Sequence, residues 1–318
     1  MTARPDKILI DSGPSGAGWS SLESMTTCPQ RYAYRHILFP DGLGNRDALV
    51  RGSIGHVGLA HLYARVKALQ DGTDPEAFYT PDEAMQLVAP KWGETGMRYL
   101  DLCREGVEAY SRFYAGDAAS LRVVGVEHLV ETTVPTRYGP RRFTARIDLS
   151  VSDQTGRVRV VDHKWVSDSS ESKMQWRYKL SGQFLGLNCF GRMLYGDRFA
   201  GVWVNVVGVG GGEFSFKRVP IDPAWNAIRR FPRILADAFE RIEELRASGR
   251  DPWDWPKAVS ERTCITPYGR CEGYDLCANG EDSLVALGNR SVPASAVGGQ
   301  ISMAAWASTM RRAEGETK

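Results

Sequence analysis

The sequence predicts an α/β fold built on one mixed sheet, and three observations predict it. Apolar residues recur at helical spacing through the first third of the chain, as at Leu59, Leu62, Tyr63 and Val66. The period then changes to strand-like alternation in three successive runs, Val123 to Thr133, Arg142 to Val151 and Arg157 to Lys164. A long helix-like stretch and two more strand-like runs follow. Helices on both sides of a run of strands call for a sheet buried under helices.

Taken in order, residues up to Gly18 are rich in Gly, Pro and Ser and are expected to be loose. Trp19 to Ser24 reads as a helix start that Ser20 or Ser21 caps. It runs into Cys28-Pro29, and a second helix follows through Arg31 to Arg35. Gly55 to Gln70 is an amphipathic helix with His56 near its start, and Asp101 to Tyr114 is also helical. The turn Ser152-Asp153-Gln154-Thr155-Gly156 joins the second and third strands as a hairpin. Gln175 to Leu194 reads as one helix. Phe199 to Val207 and Glu213 to Val219 are strands separated by a glycine-rich turn, and Pro223 to Ser248 reads as one long helix. From Ala286 the chain turns rich in Ser, Ala and Gly, so residues 286–318 are expected to be poorly ordered. These boundaries predict one domain over residues 19–285: a helical part (19–120), a sheet core (121–250) and a cysteine-bearing segment (251–285).

Composition narrows the class. The 318 residues suit one large domain or two modest ones, and an apolar share of 42% supports a sizeable core. The formal charge of +2 is nearly neutral. That does not exclude nucleic-acid binding, because a protein that cuts phosphodiesters carries acids for its metals beside a basic groove. No apolar run approaches a membrane span, and the first residues lack the apolar stretch of a signal peptide, so the expectation is a cytoplasmic protein. In that compartment disulfides are rare, and the six cysteines read as buried thiols or metal ligands.

The most informative stretch is Val160-Val161-Asp162-His163-Lys164-Trp165. Alternate side chains of a strand share a face, so Asp162 and Lys164 point into one space and His163 points away. An acid that can hold a divalent cation then stands beside a lysine that can steady an attacking water or phosphate charge. Asp148, at the end of the preceding strand, is a second hard oxygen donor of the kind magnesium and manganese take. His56 adds a nitrogen donor, which favours manganese over an all-oxygen site. Glu127 is a further acid at a strand position, either an outer-shell residue or a surface one. An isolated D-x-K recurs by chance; the conjunction carries the argument.

The order of elements and the residues Asp148, Asp162-His163-Lys164 and Gln183 resemble the PD-(D/E)XK nuclease superfamily, specifically its RecB-like branch of iron–sulfur exonucleases. The resemblance runs from about Trp19 to Cys277. Gly52-Ser53-Ile54-Gly55-His56 matches the first motif of that branch, Asp148 the acid of the second, Asp162 and Lys164 the third. Gln183 matches the glutamine that opens a Q-x-x-x-Y motif, although Leu187 stands where tyrosine is usual. The resemblance implies a restriction-endonuclease-like core and Mg2+- or Mn2+-dependent cleavage of DNA. It implies exonuclease action on single-stranded ends in recombination, repair or replication. Lys164, Asp162, Asp148 and Gln183 would then be catalytic. His56, Asp148, Asp162 and the backbone carbonyl of His163 would hold the metal.

Cys264, Cys271 and Cys277 cluster near the end of the chain and Cys28 lies far upstream. One distant cysteine with three clustered ones is the iron–sulfur staple of this branch, implying a [4Fe-4S] cluster that closes a loop of more than 200 residues. A four-cysteine Zn2+ site is the alternative, although tight C-x-x-C pairs are lacking. Cys103 and Cys189 read as buried hydrophobes. For DNA contact, Arg31 and Arg35 sit one helical turn apart and would grip phosphates, with Tyr32 or Tyr34 stacking on a base. Lys173, Arg177 and Lys179 follow the acid–lysine strand and would line the same groove. Trp253 and Trp255 read as packing residues. No G-x-x-x-x-G-K-[ST] loop occurs, so a helicase partner would be a separate protein. Two rivals stay open: a non-cleaving DNA-binding adaptor of the same fold, and a structural iron–sulfur or zinc protein.

Overall fold

A computed structural model of the protein describes residues 7–10, 12–13, 15–39, 47–167, 169–266 and 269–280. The helices are α1 (Trp19–Thr27), α2 (Pro29–Ala33), α3 (Asp47–Gln70), α4 (Pro81–Val88), α5 (Gly93–Phe113), α6 (Asp117–Ser120), α7 (Glu171–Tyr178), α8 (Gly182–Tyr195), α9 (Trp225–Ile228), α10 (Phe231–Ala247), α11 (Glu261–Cys264) and α12 (Tyr274–Asn279). The strands are β1 (Arg122–Val134), β2 (Arg141–Ser152), β3 (Val158–Val166), β4 (Phe199–Gly210), β5 (Glu213–Ile221), β6 (Ile265–Thr266) and β7 (Gly269–Arg270). By contacts the chain divides into two compact units, one of residues 1–29 and 45–250, the other of residues 30–44 and 251–318. Among the described residues no helix is long and apolar enough to cross a membrane.

The larger unit is a five-stranded mixed sheet in sequential order, β1-β2-β3-β4-β5. All neighbours are antiparallel except β3 and β4, whose parallel pairing needs the crossover that α7 and α8 supply. Turn chemistry sets the hairpins. The Asp153 carboxylate accepts from the N–H groups of Thr155 and Arg157, and Gly156 takes φ +80°. Gly211 and Gly212, both at positive φ, form the two-residue turn into β5. α4, which no periodicity singled out, starts on a capping box between Thr80 and Glu83.

Helices cover both faces of the sheet. On one, Ile54, Leu59 and Tyr63 of α3 and Leu100, Val107 and Tyr110 of α5 pack on Leu149, Val161, Trp165 and Val207. On the other, Phe143 stacks on Phe190 of α8, and Phe231 of α10 reaches both Phe143 and Trp19 of α1. Odd-numbered β3 residues face α3 and α5, so Asp162 and Lys164 belong to the opposite side.

Three expectations are corrected. Gln175 to Leu194 is two helices: Ser181 is extended, and Gly182 opens α8 where a Cβ would overlap the Trp19 indole. Pro223 to Ser248 breaks after Ile228, and Pro232, which lacks an N–H, sits in the first turn of α10 where none is needed. The described N-terminal residues are tied down rather than loose. Ile8 bridges Phe78, the Ile10 N–H donates to His61 Nε2, and Ala17 and Thr144 exchange backbone and side-chain hydrogen bonds. Residues 286–318 lie outside the described residues.

In the smaller unit α2 continues into a π-turn over Tyr34–Leu38. Tyr34, Phe39, Trp253 and Leu276 form its apolar centre. The buried Gln30 side chain donates to the Pro252 carbonyl, its backbone N–H donates to Pro256, and Arg31 pairs with Glu272.

Candidate active site

The sheet opens a fork at the acid-bearing strand ends. β2 and β3 pair only from Leu149 opposite Val161 to Ser152 opposite Val158. Further along, β3 stays bonded to β4 as far as Val166, and β2 stays bonded to β1. Asp148 and Asp162 therefore flank the gap. Within it, the His163 backbone N–H donates to Asp148 Oδ2 at 2.8 Å. In an extended strand a residue's N–H and C=O project to the same edge, so the His163 carbonyl faces the same fork.

α3 brings His56 to this gap, with Nδ1 3.3 Å from Asp148 Oδ2. Gly55 makes the approach possible: a Cβ there would fall inside the Trp165 indole of β3. The third member arrives by backbone distortion. Glu127 lies on β1 between Val126, opposite Leu149, and His128, opposite Ile147. Its φ of +47° is the left-handed state, and it is the single non-glycine residue with positive φ among those described. Such a backbone costs about 1–2 kcal/mol outside glycine and persists where the surroundings enforce it. Its buried carboxylate joins His56 and Asp148, and one ligand atom of each lies within 4.8 Å of the others. Glu127, read from the sequence as either an outer-shell or a surface residue, is thus buried beside His56 and Asp148.

Asp162 is not one of those three. Its Oδ1 accepts from Gln183 Nε2 at 2.6 Å, and its Oδ2 lies 2.5 Å from Lys164 Nζ. One oxygen of this buried carboxylate is thus held by an amide and the other by the ammonium. Burial pushes the Asp162 carboxyl up to about 6, against the pull of Lys164 and with a further rise from Asp148. Burial alone would lower the Lys164 pKa, but Asp162 and Asp148 outweigh it and hold it above the ordinary lysine value. Tyr178 and Phe184 wall the ammonium, with ring centroids 5.9 and 5.8 Å from Nζ. Several acids share a desolvated space with one lysine, a charge pattern that a cation relieves.

The His163 ring points away, as strand alternation requires, into a buried polar network that sequence reading missed. Asn205 Nδ2 lies 2.7 Å from His163 Nδ1 and 2.9 Å from Tyr110 Oη. Tyr110 meets Tyr63 at 2.7 Å, and Arg218 donates to both phenols and ion-pairs with Asp117. Burial holds the imidazole neutral, with its pKa lowered to about 3 despite the pull of Asp148. Six different elements supply these residues, so no local motif could have revealed them.

The other expected contact residues divide. Tyr34 is 2 % exposed and Tyr32 is also buried, the first against Phe39 and Trp253 and the second stacked on Trp255. Base stacking by either is therefore corrected to a packing role. Arg31 Nε donates to Glu272 at 3.0 Å, and Arg35 is half-buried in the same unit. Lys173 and Arg177 lie on α7, and Lys179 is its C-cap. Of the cysteines, Cys28 is buried and caps α1, while Cys264 and Cys271 bracket the β6–β7 hairpin, joined by a 2.7 Å backbone bond from Cys271 N–H to the Cys264 carbonyl. Cys277 lies on α12, with Sγ 3.8 Å from Tyr34 Oη.

Comparison with known proteins agrees with this arrangement. No curated protein matches the chain. Among solved structures, the protein SSO0001 is 12% identical, with a TM-score of 0.29 over 58% of this chain and 74% of its own. A presumed exonuclease from Eubacterium rectale is 11% identical, with a TM-score of 0.36 over 68% of this chain and 73% of its own. Both likenesses are too remote to carry an argument. The family model of the PD-(D/E)XK nuclease superfamily matches residues 19–185, more than half of the chain and the whole stretch from α1 through the acid–lysine strand to Gln183. The chain belongs to the PD-(D/E)XK nuclease superfamily.

Proposed function

We propose that this protein is a Mg2+- or Mn2+-dependent deoxyribonuclease, acting as an exonuclease on single-stranded ends. The observation that carries the reading is the fork between β2 and β3, where His56, Glu127 and Asp148 gather beside the Asp162–Lys164 pair. One imidazole nitrogen with carboxylate oxygens is a donor set for a hard divalent cation, and the neighbouring Asp162 carboxylate is a further one. His56, Glu127, Asp148 and Asp162 would hold the ion, with the His163 carbonyl available on the same edge. When bound, the cation lowers the pKa of a water and offsets charge on the scissile phosphate.

The chain's own residues divide the remaining work. Lys164, kept protonated by its carboxylate neighbours, presents positive charge where negative charge grows on the phosphate oxygens. Gln183 fixes one Asp162 oxygen, and the His163 N–H fixes one Asp148 oxygen, so neither carboxylate must reorganise during the reaction. Lys173, Arg177 and Lys179 lie along the helix that follows β3 and supply phosphate contacts. The preference for single-stranded ends comes from the resemblance of the motifs to one nuclease branch. Cys28, Cys264, Cys271 and Cys277 would hold a [4Fe-4S] cluster as a structural staple. The hairpin that joins Cys264 to Cys271, with Cys277 on the next helix of the same unit, suits that role.

The test is digestion of end-labelled single- and double-stranded DNA with Mg2+ or Mn2+, wild type beside Asp162→Asn and Lys164→Ala. The expected result is metal-dependent loss of nucleotides from single-stranded ends, reduced at least 100-fold in both variants. Full activity in both would remove these residues from the mechanism; absence of cleavage with retained DNA binding would favour the adaptor reading. Anaerobically purified protein should be brown, with iron and acid-labile sulfide, and colourless protein with stoichiometric zinc would replace the cluster.

A further inference from the structure

Helix α7 presents to solvent a face that the reaction chemistry does not use. Its inner residues Met174 and Tyr178, one turn apart, are buried, and the Tyr178 ring packs on Phe184 and walls Lys164. The helix is thereby anchored to the catalytic lysine. On its outer side Trp176 is 82 % exposed and Leu180, four residues on, is 72 % exposed. Lys179 keeps helical backbone, so the helical spacing extends towards Leu180. Lys173 and Arg177 form a second i,i+4 row, and each is three residues before Trp176 or Leu180. Along residues 171–180 an indole and a leucine thus stand in a stretch whose charged side chains are Glu171, Lys173, Arg177 and Lys179.

A tryptophan is usually well buried, and here an indole and a leucine one turn apart both stand at the surface. Its basic surround selects the occupant. The cations suit an anionic occupant, and in a chain of a nuclease superfamily that occupant is a nucleic acid, whose single strand takes an aromatic platform for a base with cations for the flanking phosphates. Trp176 is two residues from Tyr178, about 200° round the helix, so its ring lies on the order of one helix diameter, ~10 Å, from the lysine side.

We propose that Trp176, flanked by Lys173 and Arg177 and continued by Leu180, is a base-stacking platform that holds single-stranded DNA a few nucleotides from the cleavage fork. This deepens the nuclease reading and rests on it for the identity of the neighbouring site. Binding of a fluorescently labelled single-stranded oligothymidylate is measured by anisotropy in EDTA, where no cutting occurs, for wild type, Trp176→Ala and Trp176→Phe. The same oligonucleotide with an abasic tract is the control. Trp176→Ala should weaken binding by about tenfold or more, and Trp176→Phe should recover most of it. Wild type should lose a similar factor on the abasic tract, and Trp176→Ala should be indifferent to it. Equal binding by wild type and Trp176→Ala overturns the proposal, as does a wild type that binds abasic and normal strands alike. A dimer that Trp176→Ala converts to monomer with DNA affinity unchanged also overturns it, in favour of a contact between copies. The two ideas fail separately: stacking without any metal-dependent cleavage sinks the nuclease reading alone, and cleavage with an unaffected Trp176→Ala sinks the platform alone.

Discussion

Gly52 and Gly55 stand one turn apart on the same helix, yet alanine should act on them with opposite sign. A Cβ on Gly52 meets nothing within 4 Å, so Gly52→Ala gains only helix propensity, about 0.8–1 kcal/mol. A Cβ on Gly55 lands inside the Trp165 indole. The ring cannot retreat, because its far edge is already pressed against Gly106 of α5, where an added Cβ would lie 2.7 Å from Trp165 Cη2. Overpacking of a filled core costs about 1–3 kcal/mol, and a direct overlap with a rigid ring belongs at the upper end. The propensity gain is common to both variants, so their difference isolates the Trp165 contact at about 3 kcal/mol. For a unit of this size that is about 6–12 °C in Tm. Urea and thermal unfolding measure it, with Mn2+ titration calorimetry as the second readout, since Gly55 immediately precedes His56. Gly55→Ala should lose Mn2+ affinity and Gly52→Ala should keep it. Equal stability of the two variants would refute the reasoning that close approach of α3 to β3 delivers the histidine.

Two further outcomes follow from buried polar groups. Arg218→Met should destabilise by about 3–5 kcal/mol in urea unfolding, because it strands the half-buried Asp117 carboxylate and two phenols, and adding Asp117→Leu should return part of the loss; a single-variant cost below about 1 kcal/mol would contradict this. His36 is held neutral, its pKa lowered to about 4 by burial and then by Arg35, against Glu272. The native value lies below the unfolded one near 6.5, so stability is complete above that pH and falls on acidification until about pH 4, by up to about 1.4 kcal/mol per pH unit. His36→Asn should flatten that slope in pH-dependent unfolding, and an unchanged slope would assign the acid sensitivity elsewhere.

Much of the site was legible because its chemistry is local. Asp162 and Lys164 sit two apart on one strand, and strand alternation by itself puts them on one face with His163 on the other. All five strands of the main sheet could be placed within a few residues, since period-2 patterning and glycine turns are short-range signals. The helix breaks at Lys179–Ser181 and Arg229–Arg230 were not legible, because propensity there is permissive and Trp19 against Gly182 settles the first. Tyr32 and Tyr34 were misassigned for a related reason: a basic-aromatic run has the same pattern whether its rings face solvent or a neighbouring Trp.

The linear chain thus specified the element types, the acid–lysine pair and the family motifs, each a matter of residues within one turn or one strand. Long-range packing alone could select the rest. It parts β2 from β3 at the acids, twists Glu127 into a left-handed backbone so that its carboxylate meets His56 and Asp148, and ties His163 through Asn205 to the Arg218 network. Those choices depend on contacts between residues up to 155 apart in sequence, whose energies outweigh local preference and leave no periodic trace in it.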